Sequence, residues 1–357
     1  MTPAVVAIWA ARATGAGAKR WSAGTLAAMG HARVRRSLAV LALTVVGTAA
    51  CSSDAKPGAA EPATAPVTST APVGSIRTVG ATPEGIVYDS RSQLVAVAVR
   101  DPDRLLLLDP DTLAVRRSVP LPGDVRHLQV SVTGNEVLVP AESARQILEV
   151  PLPTGPVVAT TVGKQPHDAV RAANGDVVVG NEFGKSISVL RNGRVLRTIS
   201  DLTQPGGVVA AGDSVAVVDV GAFSVSTYDL ATLKRTGRIG AGKGPTHGVL
   251  VGSNRILVSD TRGDALLLDT VSPLRQTSRL ALPGTPYGLA VDARTATVWV
   301  TLTALNQVVG VRVTGNRMTV IARYPTVRQP NTVAVDPGSH RLWVTGTDDG
   351  VVQLIRR

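Results

Sequence analysis

The chain has 357 residues, a net charge of +11 and one cysteine, and only 3% of its residues are aromatic. Positions 1–50 hold six basic and no acidic residues, so the remaining 31 basic and 26 acidic residues leave a charge of about +5. Such a moderate charge with few aromatic rings argues against nucleic-acid binding. A single cysteine excludes an intramolecular disulfide and a multi-cysteine metal site.

The first 50 residues have the layout of a secretory leader. Arg33, Arg35 and Arg36 precede the apolar run SLAVLALTVVGTAA, which is too short to span a bilayer as a helix and ends at Cys51. The small residues before this cysteine resemble the lipobox of bacterial lipoproteins. That resemblance implies lipidation of Cys51, export, and anchoring to the outer face of the cell membrane or to the cell envelope. The alternatives are an ordinary signal peptide or a buried apolar segment.

Two further boundaries follow from the leader. Translation from Met29 would give the signal a normal length, so we predict that residues 1–28 are not made. Residues 51–72 are rich in Ala, Pro, Ser and Thr and poor in large apolar residues, a composition that cannot bury enough surface to fold. We therefore predict a disordered tether at 51–72 and a folded domain at 73–357.

The folded domain is internally repetitive. Seven segments resemble one another, and six of them carry proline at the second position. They are TPEGIVYD (82–89), DVRHLQVS (124–131), QPHDAVRA (165–172), QPGGVVAA (204–211), GPTHGVLV (244–251), TPYGLAVD (285–292) and QPNTVAVD (329–336). Their spacings of 42, 41, 39, 40, 41 and 44 residues indicate a repeat architecture.

Every repeat continues with the same strand pattern. After the first strand come a β-branched run such as LVAVAV or DVVVG, a polar loop, a third strand such as SISVL and a fourth run. Four short strands in about 40 residues are typical of a propeller blade. The last repeat ends at Arg357 after its third strand, while residues 74–79 read as a strand with no blade before them. We predict an all-β, seven-bladed β-propeller with four antiparallel strands per blade, closed by the N-terminal strand pairing in the last blade.

Two second-strand endings add a family resemblance. VWVT (298–301) and LWVT (342–345), together with the proline-containing openings, resemble the YVTN-type repeat of bacterial seven-bladed propellers. The resemblance covers residues 73–357 and implies the fold. It leaves function open, because such repeats occur in exported binding proteins, scaffolds, and some lyases and lactonases, and a fold alone does not determine function.

The repeat also predicts where a ligand would bind. The two residues after each proline position should surround one mouth of the central channel, and an apolar channel with a polar mouth is the default ligand site. Three histidines fall on this ring. We predict that a small ligand or a protein partner binds Glu84, Arg126, His127, His167, Asp168, His247, Tyr287 and Asn331.

Several alternatives remain open for this ring. Polar residues at a wet channel mouth can simply be solvated, and a partner could instead bind the sides of the blades. A divalent metal ion such as zinc would suit His127, His167, His247 and Asp168 as ligands, although no pair has a preorganised spacing. Strand-end acids such as Asp219 and Asp260 are expected to cap turns.

An enzyme is the main alternative function. Some seven-bladed propeller lyases use channel-mouth histidines and an acid with a divalent ion, which suggests His247 as base with His167 and Glu182 assisting in a lyase or lactonase-type hydrolase. We favour a monomeric, lipid-anchored binding or scaffolding propeller. Its predicted partners are the membrane, through the lipid on Cys51, and an envelope protein or small molecule.

Overall fold

The computed structural model describes residues 58–131 and 135–357. The predicted leader, the start at Met29 and the lipidation site Cys51 lie outside these residues. Within the described part, no helix is long and apolar enough to cross a membrane. Across residues 58–131 and 135–357, one turn of 3-10 helix, Thr303–Leu305, accompanies the strands, turns and loops.

Seven four-stranded antiparallel sheets follow one another along the chain, and each is one blade. The first strand, β1 (Ser75–Thr78), belongs to the last blade. Blade 1 comprises β2 (Ile86–Asp89), β3 (Leu94–Val99), β4 (Arg104–Leu108) and β5 (Val115–Pro120). Blade 2 comprises β6 (Gln129–Val130), β7 (Glu136–Ala141), β8 (Gln146–Pro151) and β9 (Val158–Thr161). Blade 3 comprises β10 (Pro166–Arg171), β11 (Val177–Asn181), β12 (Ser186–Arg191) and β13 (Arg194–Ile199).

The remaining blades repeat this order. Blade 4 comprises β14 (Pro205–Ala211), β15 (Ser214–Asp219), β16 (Ser224–Asp229) and β17 (Lys234–Gly240). Blade 5 comprises β18 (Pro245–Val251), β19 (Arg255–Asp260), β20 (Ala265–Thr270) and β21 (Arg275–Ala281). Blade 6 comprises β22 (Pro286–Asp292), β23 (Thr297–Leu302), β24 (Gln307–Thr314) and β25 (Arg317–Pro325). Blade 7 comprises β26 (Val333–Val335), β27 (Leu342–Gly346) and β28 (Val351–Ile355), with β1 as its fourth strand.

The ring closes through the N-terminal strand. β1 pairs antiparallel with β28, with Ser75 opposite Leu354 and Thr78 opposite Val351. The innermost strands of successive blades pack against one another, and β26 packs against β2. Closure covers two sheet edges that would otherwise present unpaired backbone groups. The predicted seven-bladed propeller is confirmed.

The second and third strands are buried at nearly every position and mostly apolar, because both faces of each blade are covered by its neighbours. In β3, Ala96 and Ala98 pack with Val137 of blade 2, whereas Val95 and Val97 pack in the core shared with blade 7. Successive side chains of a strand point to opposite faces, so a strand between two blades needs apolar residues throughout. The outermost strands face solvent, and β13 is exposed over most of its length.

Acids at the ends of second strands hold the crossings between blades. Asp219 accepts hydrogen bonds from the backbone N–H groups of Thr203 and Gln204, at 2.8 and 2.9 Å. Asp260 accepts equivalent bonds from Lys243 and Gly244, both at 2.9 Å. The predicted turn-capping role is confirmed for Asp219, which also accepts from the N–H of Ala222 in the turn after its strand at 3.1 Å. The bonds of Asp260 instead hold the crossing before its own blade.

Candidate functional site

The inner strands surround a channel with a cavity of about 700 Å³. Its walls are mainly apolar, with residues such as Val87, Val209 and Leu289 contributed by different blades. We define the mouth face as the face that carries the blade-opening prolines and the loops between second and third strands. Away from the mouth face, the cavity reaches exposed turn residues such as Gly212 and Gly252.

The predicted site residues divide into two layers. Three of them line the cavity at its mouth end: His127, Asp168 and His247. The other five each immediately follow the proline position of their repeat. They form a second layer, which lies closer to the mouth than the three residues that line the cavity. These five are Glu84, Arg126, His167, Tyr287 and Asn331. The ring therefore closes the channel on the mouth face rather than surrounding an open hole.

A charged cluster lies between blades 2 and 3 in this closing layer. The Arg126 guanidinium donates from Nε to Oε1 of Glu142 at 2.9 Å and from a terminal nitrogen to Oε2 of Glu182 at 2.8 Å. Nδ1 of His167 lies 2.8 Å from Oε1 of Glu142 and 3.4 Å from Oε2 of Glu182. Because both neighbours are carboxylates, which only accept, we assign a proton to Nδ1.

Two glutamines complete the hydrogen bonding of these carboxylates. Gln165 donates to the second oxygen of Glu142 at 3.0 Å, and Gln204 donates to the second oxygen of Glu182 at 2.8 Å. Burial alone would raise the pKa of Glu142, but its bonds to His167 and Arg126 outweigh burial and lower that pKa to about 2. Glu142 is therefore ionised at neutral pH, in a fully bonded site.

Sequence reasoning singled out Glu182 but missed Glu142. Both residues directly follow the second strand of their blade, so an alignment of second-strand ends gives them the same position. The segment around Glu142, PAES, contains no histidine and no recognisable motif, so only that alignment could have identified it as a site residue.

The three histidines of the ring come together. The rings of His167 and His247 lie on either side of His127, with centroid separations of 4.5 and 4.3 Å. One nitrogen from each ring lies within 4.8 Å of the others, a grouping that could hold a metal ion. Nε2 of His127 and Nε2 of His247 are 2.9 Å apart.

Hydrogen bonds orient these rings. Nδ1 of His247 donates to the backbone carbonyl of Tyr287 at 3.1 Å, so Nε2 of the neutral ring carries a lone pair. Burial lowers the pKa of His247 to about 3. Burial and the two neighbouring imidazoles likewise lower the pKa of His127 well below its ordinary value. Both rings are therefore neutral at physiological pH.

Asp168 does not join the histidines. Its carboxylate accepts hydrogen bonds from the backbone N–H groups of Ala169 and Val208, both at 2.9 Å, and so links blades 3 and 4. Burial raises the pKa of Asp168 to about 6 despite these bonds. Its role is to join two innermost strands, which makes it a poor metal ligand.

The other side of the ring is less charged. Glu84 bonds Arg100 at 2.9 Å and accepts from Asn331 at 3.3 Å, and burial raises its pKa. The Tyr287 ring packs edge-on against His247 with centroids 4.4 Å apart. Burial raises the Tyr287 pKa above its ordinary value, so its phenol is neutral.

Comparisons with known proteins agree on architecture. No family model matches the chain, and no curated protein matches it in sequence. Virginiamycin B lyase of Staphylococcus aureus superposes with a TM-score of 0.66 at 16% identity, covering 79% of this chain and 99% of the lyase.

Two further solved structures give similar values. Hydrazine synthase of Kuenenia stuttgartiensis has a TM-score of 0.65 at 16% identity, with 77% and 96% of the two chains covered. The β-propeller domain of Myceliophteria thermophila Cps50 (Swd1) has a TM-score of 0.66 at 12% identity, with 79% and 99% covered. Likeness at these identities shows the fold alone, and the YVTN-type repeat stays a prediction.

Proposed function

We propose that the protein binds a small ligand in its central channel. The observation that carries this proposal is a cavity of about 700 Å³ with apolar walls that ends at the imidazoles of His127 and His247. This volume is in the range of small-molecule sites, which typically combine apolar walls with a few placed polar groups. The walls would enclose the apolar part of the ligand, and the two neutral imidazoles would contact its polar end.

An environment-sensitive dye tests this proposal. Anilinonaphthalene sulfonate, with an apolar ring system and a polar group, should bind the wild-type protein saturably at one site. The half-buried cavity residues Ala210 and Ala290 are suitable for blocking the channel. We expect Ala210→Trp and Ala290→Trp to weaken binding by about tenfold or more, which corresponds to about 1.4 kcal/mol.

A matched control separates channel binding from surface binding. Val195→Trp places the same ring on the outer strand β13, where the native side chain is 41% exposed. This variant should bind the dye as the wild type does. Equal binding by all three folded variants, verified by circular dichroism, would refute a channel site.

A metal-assisted lyase or hydrolase is the second candidate, and the three converging imidazoles favour it. Zinc–nitrogen distances of about 2.0–2.1 Å place the nitrogens of a tetrahedral site about 3.4 Å apart. The 2.9 Å between His127 and His247 would have to widen slightly. The second nitrogens of His167 and His247 already bond a carboxylate and a carbonyl, as in zinc sites. The donor set therefore fits a zinc-class ion.

The residues of this chain would hold such an ion and set the protonation of the site. A bound divalent ion would supply polarisation of a ligand carbonyl. Glu142 orients the His167 ring, and Arg126 neutralises the adjacent carboxylates. The prediction that His247 is the general base is disfavoured, because a group with a pKa of about 3 is a weak base at neutral pH. The same low pKa keeps Nε2 of His247 unprotonated, as metal coordination requires.

Metal content tests the second candidate. After equilibrium dialysis against zinc, elemental mass spectrometry should find one ion per wild-type chain and much less in His127→Leu. The control is His340→Leu, whose native ring bonds Asp292 at 2.7 Å in the turns of the opposite face. Absence of zinc from the wild type, or equal loss of zinc in both variants, would exclude the metal site. Neither result would bear on the proposal that the channel binds a small ligand.

We propose that the chain is exported and anchored through a lipid on Cys51. The support is the leader and the lipobox-like sequence. The described chain begins on the mouth face, seven positions after Cys51, where the carbonyl of Gly58 accepts a hydrogen bond from Arg262.

Detergent partitioning tests the anchor. Wild-type protein from cells should enter the detergent phase of Triton X-114, and Cys51→Ser should stay in the aqueous phase. Identical partitioning of the two proteins would exclude lipidation at this residue.

A further inference from the structure

The last part of the predicted tether is bound to the propeller. Residues 58–73 form no helix or strand, yet Ala65 is 2% exposed and Ala60 is 8% exposed. Val67, two residues after Ala65, is 78% exposed. Burial of small side chains in a segment with no secondary structure of its own means that the propeller supplies the contacts.

Side chains of blades 6 and 7 bind the backbone of this segment. Gln329 donates from Nε2 to the carbonyl of Ala63 and accepts at Oε1 from the N–H of Ala65, both at 2.8 Å. The N–H of Ala63 donates to the Thr303 hydroxyl at 3.1 Å. Asn306 donates from its amide to the carbonyl of Pro66 at 2.8 Å. Four hydrogen bonds thus go to main-chain groups, which any sequence of suitable shape could supply.

Charged groups hold the other end of the segment. Arg262 donates to the carbonyls of Gly58 and Ala59, at 2.8 and 3.1 Å. The carboxylate of Glu61 lies 3.9 Å from the Arg126 guanidinium, which belongs to the charged cluster of blades 2 and 3. The segment therefore contacts blades 5, 6 and 7 and extends one side chain across the mouth.

We propose that the mouth face carries a groove for an extended, proline-containing peptide, and that residues 60–66 are its intramolecular ligand. Pro62 and Pro66 favour extended backbone at the residues before them, Glu61 and Ala65, which reduces the entropy lost on binding. Main-chain hydrogen bonds provide affinity, and the buried position of Ala65 selects a small side chain. This groove is separate from the channel, so the proposal stands whether or not the channel binds a ligand.

Hydrogen exchange of the full chain tests the intramolecular contact. By mass spectrometry, the amides of Ala63 and Ala65 should exchange about tenfold or more slowly in the wild type than in Ala65→Glu, which places a charged side chain in the small buried position. Gln329→Ala should give the same loss of protection. Val67→Glu is the matched control, because it introduces the same charge two residues away at an exposed position.

A synthetic peptide tests the groove itself. A fluorescent peptide of residues 58–68 should bind Ala65→Glu, whose groove is vacated, and bind wild type much more weakly, because the native segment competes at a roughly millimolar effective concentration. Binding should disappear in the Ala65→Glu/Gln329→Ala double variant. Wild-type amides that exchange at unprotected rates would overturn the proposal. So would failure of the peptide to bind Ala65→Glu at millimolar concentration.

Discussion

The two sides of the mouth face use the same repeat position for different purposes. On the side of blades 2 to 4, Gln165 and Gln204 precede the blade-opening prolines and donate to the buried carboxylates of Glu142 and Glu182. On the side of blades 6 and 7, Gln329 occupies the equivalent position and binds the backbone of residues 63 and 65. The side chain is identical, and its partner differs.

The difference comes from the residue that follows the second strand of the preceding blade. That residue is Glu142 before Gln165 and Glu182 before Gln204, whereas it is Thr303 before Gln329. A carboxylate uses the glutamine amide as its donor. A threonine is too short to reach the amide in this way, which leaves the glutamine free to bind a peptide. In this propeller, the role of the glutamine is therefore set by a residue of the preceding blade as much as by the glutamine itself.

Removing the charge of Glu142 should lower the stability of the protein more than any other change predicted below. In Glu142→Gln, the buried Arg126 loses one of its two buried carboxylate partners, and His167 loses its nearest acceptor. We expect the free energy of unfolding to fall by about 3 kcal/mol, the usual cost of breaking a buried ion pair. Urea denaturation monitored by circular dichroism measures this change.

Glu61→Gln is the matched control, because Glu61 approaches the same arginine but is mostly exposed. Its effect on unfolding should stay below about 0.5 kcal/mol. Similar losses of unfolding free energy in Glu142→Gln and Glu61→Gln would mean that burial of an ion pair with Arg126 does not control how much the pair stabilises the protein.

Asp269 is a buried acid without a hydrogen-bond partner in the described residues, in contrast to the fully bonded Glu142. Asp269 of β20 is 0% exposed, neither of its side-chain oxygens has a hydrogen-bond partner in the described residues, and burial raises its pKa to about 7. Between about pH 4 and pH 7, the native state keeps a proton that the unfolded chain has released, so stability should fall as pH rises through this window. It should not fall further above pH 7 from this group.

Asp269→Asn should remove that dependence. At pH 8 the variant should be more stable than wild type by about 1–2 kcal/mol, since an uncharged amide still lacks a partner but avoids burying a charge. At pH 4 the two proteins should differ little. Denaturation at both pH values checks this, and an equal gain at both would rule out ionisation as the cause.

Much of the fold but little of the site could be predicted from the sequence. The near-constant spacing of the seven repeats gives the blades, and the unpaired strand at 74–79 gives the ring closure. The ring positions of His127 and His247 also follow from the repeat. The 2.9 Å distance between their Nε2 atoms could not be predicted, because it depends on how closely the inner strands approach one another across the channel.

The bound segment could not be predicted from composition. Its Ala- and Pro-rich sequence is typical of a disordered tether, and nothing in it marks a binding partner. The contacting side chains of Thr303 and Gln329 lie 240 to 266 positions away in the chain. Such pairings depend on the closed ring, which brings blades 6 and 7 next to the N-terminal strand.

Truncating the equivalent glutamines should produce opposite patterns. Gln165→Ala leaves one oxygen of the buried Glu142 without a donor, so unfolding should become easier by about 1 kcal/mol while residues 63 and 65 stay protected. Gln329→Ala should change global stability by less than about 0.5 kcal/mol, because two of the three side-chain bonds it loses hold a peripheral segment and the third goes to the neutral amide of Asn331. Denaturation and hydrogen exchange, measured on both variants, distinguish the two roles. Equal loss of global stability would contradict the comparison.

Exchanging the neighbouring residue should convert one side of the mouth into the other. Thr303→Glu places a carboxylate where blades 2 and 3 have Glu142 and Glu182, and Gln329 should then donate to it instead of to Ala63. The segment would lose its bonds to both side chains, so the amides of Ala63 and Ala65 should exchange as fast as in Ala65→Glu. Thr303→Val is the control: it removes only the hydroxyl that accepts from Ala63 and should leave part of the protection. If protection survives in Thr303→Glu, the neighbouring residue does not set the role of the glutamine.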